Sequence, residues 1–304
     1  MQISQHGNSL IVTFVVGIAL VGCSPHEKGS GAGSSMSTAG SGSDLDSSNS
    51  PAPATATMSL AAAEAKARGI LQRQIDATKA HDGSMKTMFT PDAVVFTHDK
   101  ATTVDGVTFF GLADGGPDGV QTDKATIAKV LAGGNANVVW FYAEVATEST
   151  GPDGKGTGTT RVVEVATAAE QWRVVAASFG EAGELAPAGD NREIENATAA
   201  DGPLAKLLGA PDLVGAQLAA NAIVVGPKAA TQGARSRDTL ASWKLEPMNV
   251  YKRAREMRTA TWGFAQANLD HHDKKYTDRL AGMIVAVPEA DGRWSVVLAQ
   301  YVGQ

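Results

Sequence analysis

Cysteine is nearly absent from this chain of 304 residues, which contains a single one, Cys23. One cysteine excludes an internal disulfide framework and a zinc site built on several thiolates. An excess of positive charge is also absent, since 26 Lys and Arg face 32 Asp and Glu, a net charge of −6. That balance argues against a general nucleic-acid binder. Because 43% of the residues are hydrophobic and only 19% are charged, the chain can bury a core, which excludes disorder of the whole chain.

Charged side chains are missing from residues 1–22, which contain no Asp, Glu, Lys or Arg. Residues 10–22 form one apolar run of 13 residues. A helix that crosses a bilayer needs about 20 apolar residues, so this run is too short for a stable membrane span. Its length is typical of the apolar core of a signal peptide. The sequence therefore predicts a signal peptide at residues 1–22.

The single cysteine ends this run, in Leu20-Val21-Gly22-Cys23. The tetrapeptide resembles the bacterial lipoprotein box, in which the cysteine is lipidated and becomes the first residue of the mature protein. Two or more acyl chains hold a protein stably at a membrane, whereas one chain gives marginal binding. The resemblance implies export and lipid anchoring to the bacterial cell envelope through Cys23, and Ser24 after it favours the outer membrane. The alternative is an ordinary secretory signal with a stray cysteine.

Residues 23–57 have the composition of a linker. Ser and Gly supply 15 of residues 24–57, and Leu45 is the only Leu, Ile or Val among them. Such a segment buries too little apolar surface to offset the entropy cost of ordering it. The sequence predicts a disordered tether after the lipidated cysteine, with ends about 30 Å apart for a flexible coil.

The chain from Met58 onward contains two similar halves. Three strand-like segments of the first half recur 122 positions later, which aligns Trp140 with Trp262. Self-similarity at a fixed spacing indicates a repeated unit. The sequence therefore predicts two domains, at residues 58–185 and 186–304. The paired segments are 138–145 with 260–267, 162–165 with 284–287, 171–179 with 293–301 and, at a spacing of 129, 89–96 with 218–225.

Each half is expected to form helices first and long strands afterwards. Behind Ser59 as N-cap, apolar positions three or four residues apart predict a helix that ends before Gly83. Residues 122–131 are predicted as a second helix, stopped by two glycines. The strands then alternate with turn-like loops, the first at 151–158. Helices packed on one curved antiparallel sheet make an α+β domain. In the second half the same reasoning predicts short helices at 204–208 and 238–245 and a loop at 270–277.

Three of these segments carry a family resemblance. They are the first strand at 89–96 (Phe-Thr-Pro-Asp-Ala-Val-Val-Phe), the Trp-x-x-Ala strand at Trp140 and the final strand at 292–297 (Gly-Arg-Trp-Ser-Val-Val). The pattern resembles the nuclear-transport-factor-2-like superfamily, and within it the SnoaL-like proteins related to polyketide cyclases and ketosteroid isomerases. The resemblance covers both halves and implies cone-shaped domains, each enclosing a pocket. Members include isomerases, cyclases, dehydratases and proteins without known chemistry, so the fold does not decide the function.

A site of the ketosteroid-isomerase type, as the resemblance implies, needs a carboxylate base in an apolar cavity and donors that stabilise an enolate. Glu144 is a candidate, since alternation along a strand puts it on one sheet face with Trp140 and Tyr142. His98, after the first strand, could act as an acid or base at a pocket mouth. The alternatives are a half-buried Glu on a sheet face and a solvated residue at a strand end. The carboxylates near apolar strands are Asp92, Asp99, Glu144 and Glu164.

The second half lacks this acid–base set. Its equivalent positions are Trp262, Phe264 and Gln266, and an amide cannot act as a base. Any catalysis is therefore expected in the first half alone. These three residues, with Trp140 and Tyr142, are also candidates to line a ligand pocket. The alternative is core packing, which the recurrence of aromatic residues at matching positions favours.

Neither a metal site nor a cofactor is predicted. The segment nearest to a metal-binding pattern is Asp270-His271-His272-Asp273. Adjacent residues on a strand point to opposite faces, so two neighbouring imidazoles do not easily hold one ion. A polar turn between two strands is the simpler interpretation.

These observations support three functional hypotheses. The leading one is a membrane-anchored envelope lipoprotein whose two domains form a small-molecule-binding or protein-interaction module without catalysis. The second is an enzyme whose first domain isomerises, cyclises or dehydrates a small apolar substrate. The third is a structural envelope protein whose domains pack on each other without a ligand. The expected partners are the membrane through Cys23, a small apolar ligand or an envelope protein, and not nucleic acid.

Overall fold

In the computed structural model, the described residues are 57–80, 83–96, 101–103, 121–152, 154–181, 217–226, 229–241, 249–250, 255–256, 261–270, 277–300 and 302–303. The predicted signal peptide, Cys23 and nearly all of the predicted linker lie outside them, as does His98. For 261–270 and several shorter strand segments, the backbone alone is described.

The first element is a helix, α1 (Leu60–Ala80), which confirms the helix predicted there. The Ser59 Oγ accepts a hydrogen bond from the Ala62 N–H at 3.2 Å and so satisfies one free donor of the first turn. A short 3-10 helix (Ser84–Met88) follows Gly83, whose φ of 73° is in the left-handed region that glycine adopts at no steric cost. The buried side of α1 consists of Ala63, Ala67, Ile70, Leu71, Gln74, Ile75 and Ala77.

Six strands form the first sheet. They are β1 (Phe89–Phe96), β2 (Ala101–Thr103), β3 (Gln121–Gly134), β4 (Val138–Gly151), β5 (Gly154–Thr167) and β6 (Arg173–Glu181). Their spatial order is β2-β1-β6-β5-β4-β3. All neighbours are antiparallel except β1 and β6, which are parallel, so the expectation of a purely antiparallel sheet is wrong at this pair. The cause is the path of the chain, because the β3–β6 meander ends with its fourth strand beside β1 and in the same direction.

Residues 122–131 belong to strand β3, so the helix predicted there is wrong. Ile127 and Val130 are three residues apart, which fits a helix. The same spacing arises in β3 because its pairing with β4 shifts register between Ile127 and Lys129. Such a bulge changes the phase of the alternation between the two faces. Pairing with β4 along most of the strand therefore outweighs the local helical spacing.

The two glycines at the end of β3 make room for the side chains of β4 and do not end a helix. A Cβ placed on Gly133 would lie 2.6 Å from the Nε1 atom of Trp140, and one on Gly134 would lie 2.8 Å from a methyl group of Val139. Both distances are shorter than a van der Waals contact. Glycine at Gly133 therefore lets the indole pack directly on the neighbouring backbone.

A tight turn replaces the loop predicted at 151–158. The β4–β5 ladder continues to its last pair, Gly151 and Gly154. The φ of Gly154 is 110°, a conformation that residues with a Cβ rarely adopt. Residues 154–158, expected in the loop because of their glycines, are held in β5 by unbroken pairing with β4.

The second sheet repeats the strand order of the first. It contains β7 (Leu218–Val225), β8 (Ala230–Gln232), β9 (Asn249–Val250), β10 (Arg255–Glu256), β11 (Thr261–Asp270), β12 (Thr277–Pro288), β13 (Trp294–Gln300) and β14 (Val302–Gly303). The order is β10-β11-β12-β13-β7-β8, with β9 beside β11 and β14 beside β12. As β6 runs parallel to β1 in the first sheet, β13 runs parallel to β7 in the second. The domain limits at 58–185 and 186–304 stay a prediction.

One helix in the described part of the second half, α2 (Ala234–Ala241), follows β8. It begins four residues before the helix predicted at 238–245, whose last residues lie outside the described ones. The short helix predicted at 204–208 also lies outside them. The loop predicted at 270–277 is consistent with the ladder of β11 and β12, which closes at the pair Asp270 and Thr277.

Two apolar cores cover opposite faces of the first sheet. One lies between the sheet and α1, where Phe141 packs with Ile70. The other lies between the two sheets and joins Trp140 and Tyr142 of β4 to residues of the second sheet such as Met283. Neighbouring residues on a strand point to opposite faces, so Phe141 and Tyr142 serve different cores. The architecture is α+β, with two curved sheets that pack face to face.

Candidate functional site

Trp140, Tyr142 and Glu144 share one face of β4, and that face is turned toward the second sheet. Trp140 and Tyr142 are buried there. The Tyr142 hydroxyl donates a hydrogen bond of 2.6 Å to Oε1 of Glu144. Burial, and then this hydrogen bond to the carboxylate, raises the pKa of Tyr142 above its ordinary value. The phenol therefore stays protonated at neutral pH and serves as a donor.

Two cations flank Glu144 across the sheet, Lys129 on β3 and Arg161 on β5. Both reach the hairpin of β7 and β8 in the second sheet. The Lys129 Nζ donates to the carbonyl oxygen of Ala230 at 3.1 Å, and the Arg161 Nη1 donates to that of Gly226 at 3.2 Å. We call Lys129, Tyr142, Glu144 and Arg161 the polar cluster. It joins the two sheets at the edge of the core between them.

The remaining residues singled out in the sequence do not join this cluster among the described side chains. Asp92 is exposed on β1. His98 and Asp99 lie outside the described residues. Trp262, Phe264 and Gln266 lie on β11, where the backbone alone is described. The three first-half residues Trp140, Tyr142 and Glu144 are thus the part of the predicted set that the structure brings together.

A second carboxyl group, Glu164 on β5, lies under α1 and has no exposed surface. The Gln74 side chain, also buried, donates a hydrogen bond of 2.8 Å from Nε2 to Oε1 of Glu164. The other oxygen, Oε2, has no hydrogen-bond partner among the described residues. Burial raises the pKa of Glu164 to about 8, although the bond from Gln74 acts in the opposite direction. The carboxyl group is therefore mostly protonated at neutral pH.

Sequence reasoning counted Glu164 among four carboxylates and did not single it out. The available signal was its position inside the apolar run 162–166 (Val-Val-Glu-Val-Ala), because such a run is typical of a strand that is buried on both faces. The equivalent position in the second half is Ala286. This carboxyl group is therefore a feature of the first half alone.

An open surface groove with a volume of about 280 Å³ lies between α1 and the start of β6. The two cations that line it, Lys66 and Arg73, both contact Trp172. The Lys66 Nζ lies 5.2 Å from the centre of the indole ring, and the Arg73 Nη2 donates a hydrogen bond to the Trp172 carbonyl oxygen at 3.3 Å. The groove is lined by Ala65, Lys66, Gly69, Ile70, Arg73 and Trp172. We call it the α1–Trp172 groove.

Within the described ranges, no three His, Cys, Asp or Glu side chains come close enough to hold a metal ion. In the segment Asp270-His271-His272-Asp273, residues 271–273 lie outside the described residues, and Asp270 is described by its backbone alone. No helix in the described part of the chain combines the length and the apolar character that a membrane span requires.

No family model and no curated protein matches this chain. Solved structures of NTF2-like proteins are similar to part of it. One from Cytophaga hutchinsonii is 11% identical, with a TM-score of 0.32 over 38% of this chain and 94% of that one. One of unknown function from Pseudomonas putida is 12% identical, with a TM-score of 0.34 over 42% and 92%. One from Rhodospirillum rubrum, of unknown function in nutrient uptake, is 13% identical, with a TM-score of 0.31 over 38% and 96%.

Proposed function

We propose that this chain is an exported bacterial lipoprotein, held at the cell envelope through lipid on Cys23, whose two domains form a binding or interaction module without acid–base catalysis. The anchor rests on the apolar run of residues 10–22 and on the cysteine directly after it. The Ser- and Gly-rich segment that follows would hold the folded part about 30 Å from the lipid headgroups. Ser24 after the cysteine favours the outer membrane.

The observation that supports the non-catalytic part is the packing of Trp140 and Tyr142 between the two sheets. Acid–base catalysis requires the acid or base to come within hydrogen-bond distance of the substrate. The Tyr142 hydroxyl is instead bonded to Glu144, and Arg161 beside it is bonded to the second sheet. These contacts favour a role for the polar cluster in holding the two sheets together.

A second candidate function rests on Glu164. Its raised pKa keeps the carboxyl group protonated at neutral pH, as a general acid requires. This favours an isomerase, cyclase or dehydratase that acts on a small apolar substrate in the first domain. Because Glu164 is wholly buried beneath α1, a substrate would reach it only if α1 moved away from the sheet. We therefore place this function second.

Lipid labelling in bacteria tests the anchor. The full chain is expressed with an alkyne analogue of palmitate, beside a Cys23→Ser variant. We expect label on the unmodified chain and none on Cys23→Ser, which leaves the membrane fraction. Ser24→Ala is the matched control, because it changes the next residue and keeps the thiol. Label on Cys23→Ser, or equal membrane retention of both chains, would contradict the anchor.

A ligand screen on the full chain distinguishes binding from catalysis. Flat apolar compounds such as steroids and polyketide-like aromatics are tested by thermal shift. A ligand present at 100 times its Kd stabilises the native state by about 2.7 kcal/mol. We expect a ligand to raise the Tm equally in the wild type and in Glu144→Gln, and to be recovered unchanged. Conversion of the ligand by the wild type but not by Glu164→Gln would favour the enzyme instead.

A further inference from the structure

The α1–Trp172 groove is kept open by a glycine in the middle of a helix. Gly69 lies inside α1, where glycine is less favourable than alanine because it loses more conformational freedom. A Cβ placed on Gly69 would meet no atom within 4 Å. No close contact in the described structure therefore requires glycine here. The effect of its missing side chain is to leave open the part of the groove that lies over Gly69.

The groove also carries positive charge that no carboxylate neutralises in the described part of the chain. Lys66 contacts the indole of Trp172, and Arg73 contacts its carbonyl oxygen. The two cations are seven residues apart on α1, about 10 Å along the helix axis. Arg68 on the same helix differs, since Glu64 pairs with it at 2.9 Å. Unpaired cations beside an aromatic ring are suited to an anion with an apolar body.

We propose that the α1–Trp172 groove binds a small planar aromatic carboxylate. The ring would lie over Gly69 and against the exposed part of the Trp172 indole, and the carboxylate would accept charge-assisted hydrogen bonds from Lys66 or Arg73. The volume of about 280 Å³ lies just below the range of roughly 300–1,000 Å³ that is typical of small-molecule sites. This size favours a ligand of one or two rings over a peptide. The inference rests on the proposed binding function and names its ligand class.

Isothermal titration calorimetry of the full chain in detergent tests this site, with 2-naphthoate as the probe. We expect one naphthoate to bind per chain. The uncharged amide of the same shape should bind about tenfold more weakly or worse, because the charge-assisted hydrogen bonds are lost. Gly69→Leu places a side chain in the groove and should abolish binding. Since leucine is a better helix former than glycine, this loss does not arise from unfolding of α1.

Arg68→Gln is the matched control, because it removes a cation of α1 that does not line the groove. It should bind naphthoate as the wild type does, whereas Lys66→Gln and Arg73→Gln should each weaken binding. Undiminished binding by Gly69→Leu, equal binding of acid and amide, or no binding at all would overturn the proposal. If Cys23 is labelled with lipid but naphthoate does not bind, the groove proposal is wrong and the anchor proposal stands. If naphthoate binds but Cys23 is not labelled, the anchor proposal is wrong and the groove proposal stands.

Discussion

Ser178 and Gln300 form a buried hydrogen bond between the two sheets, in which Nε2 of Gln300 donates to Oγ of Ser178 at 2.9 Å. The two residues are 122 positions apart, which is the spacing of the sequence repeat. They lie at the same place on β6 and β13, so equivalent positions of the two halves contact each other. In a two-fold assembly such a contact lies at the symmetry axis. At this contact the two sheets therefore meet as the subunits of a two-fold dimer do.

This hydrogen bond predicts a stability effect. Gln300→Ala leaves the buried Ser178 hydroxyl without its partner, and the free energy of unfolding should fall by about 1–3 kcal/mol. Urea denaturation measures the change. Gln72→Ala, which removes an exposed bond to Asp76, is the control and should change stability by no more than about 0.5 kcal/mol. The double variant Ser178→Ala with Gln300→Ala should cost less than Ser178→Ala and Gln300→Ala added together. Additive costs would mean that the two side chains do not interact.

The buried Glu164 predicts that stability falls as the pH rises. Its pKa is raised from 4.5 to about 8, so between these values the folded chain keeps a proton that the unfolded chain loses. The free energy of unfolding therefore decreases progressively from pH 4.5 up to about pH 8. In Glu164→Gln the side chain at this position is uncharged in both the folded and the unfolded state, so it does not contribute to this decrease. Its stability relative to the wild type should rise by roughly 3 kcal/mol between about pH 5 and pH 8.

Urea denaturation at the two pH values measures this difference. Glu148→Gln is the control, because Glu148 is exposed and paired with Lys124 at 2.8 Å. It should keep the pH dependence of the wild type. If the curves of Glu164→Gln and the wild type run parallel, Glu164 is not the group responsible.

Two glycines predict opposite responses to alanine. In Gly133→Ala the new methyl group meets the indole of Trp140, and such overpacking costs about 1–3 kcal/mol. In Gly69→Ala the methyl group meets nothing, and the better helix propensity should stabilise the chain by up to about 1 kcal/mol. Thermal denaturation of the two variants compares them directly. A loss of stability in Gly69→Ala would show that this position is more crowded than the structure indicates.

Local patterns predicted those features that depend on one segment. The start of α1 follows from Ser59 and the apolar spacing behind it. The common face of Trp140, Tyr142 and Glu144 follows from alternation along a single strand. By contrast, residues 122–131 have a spacing that fits both a helix and a bulged strand. Pairing with β4 decides between these alternatives.

Glu164 shows why the site was harder to predict than the fold. Four carboxylates lie near apolar strands, and their local sequences alone do not rank them. The burial of Glu164 depends on α1, whose Gln74 is 90 residues away in the chain. Its raised pKa is therefore a product of long-range packing, because the loss of hydration depends on what covers the group.

The sequence by itself determined the two-fold repetition of the strands, the start of α1 and the alternation of side chains across β4. These properties depend on residues close together in the chain or on a fixed spacing between like segments. Only the tertiary structure decided which layer covers each face of the first sheet. Phe141 lies beneath α1, whereas Tyr142 lies beneath the second sheet. Alternation separates the two residues, but both faces are apolar, so the covering layer depends on how distant segments pack.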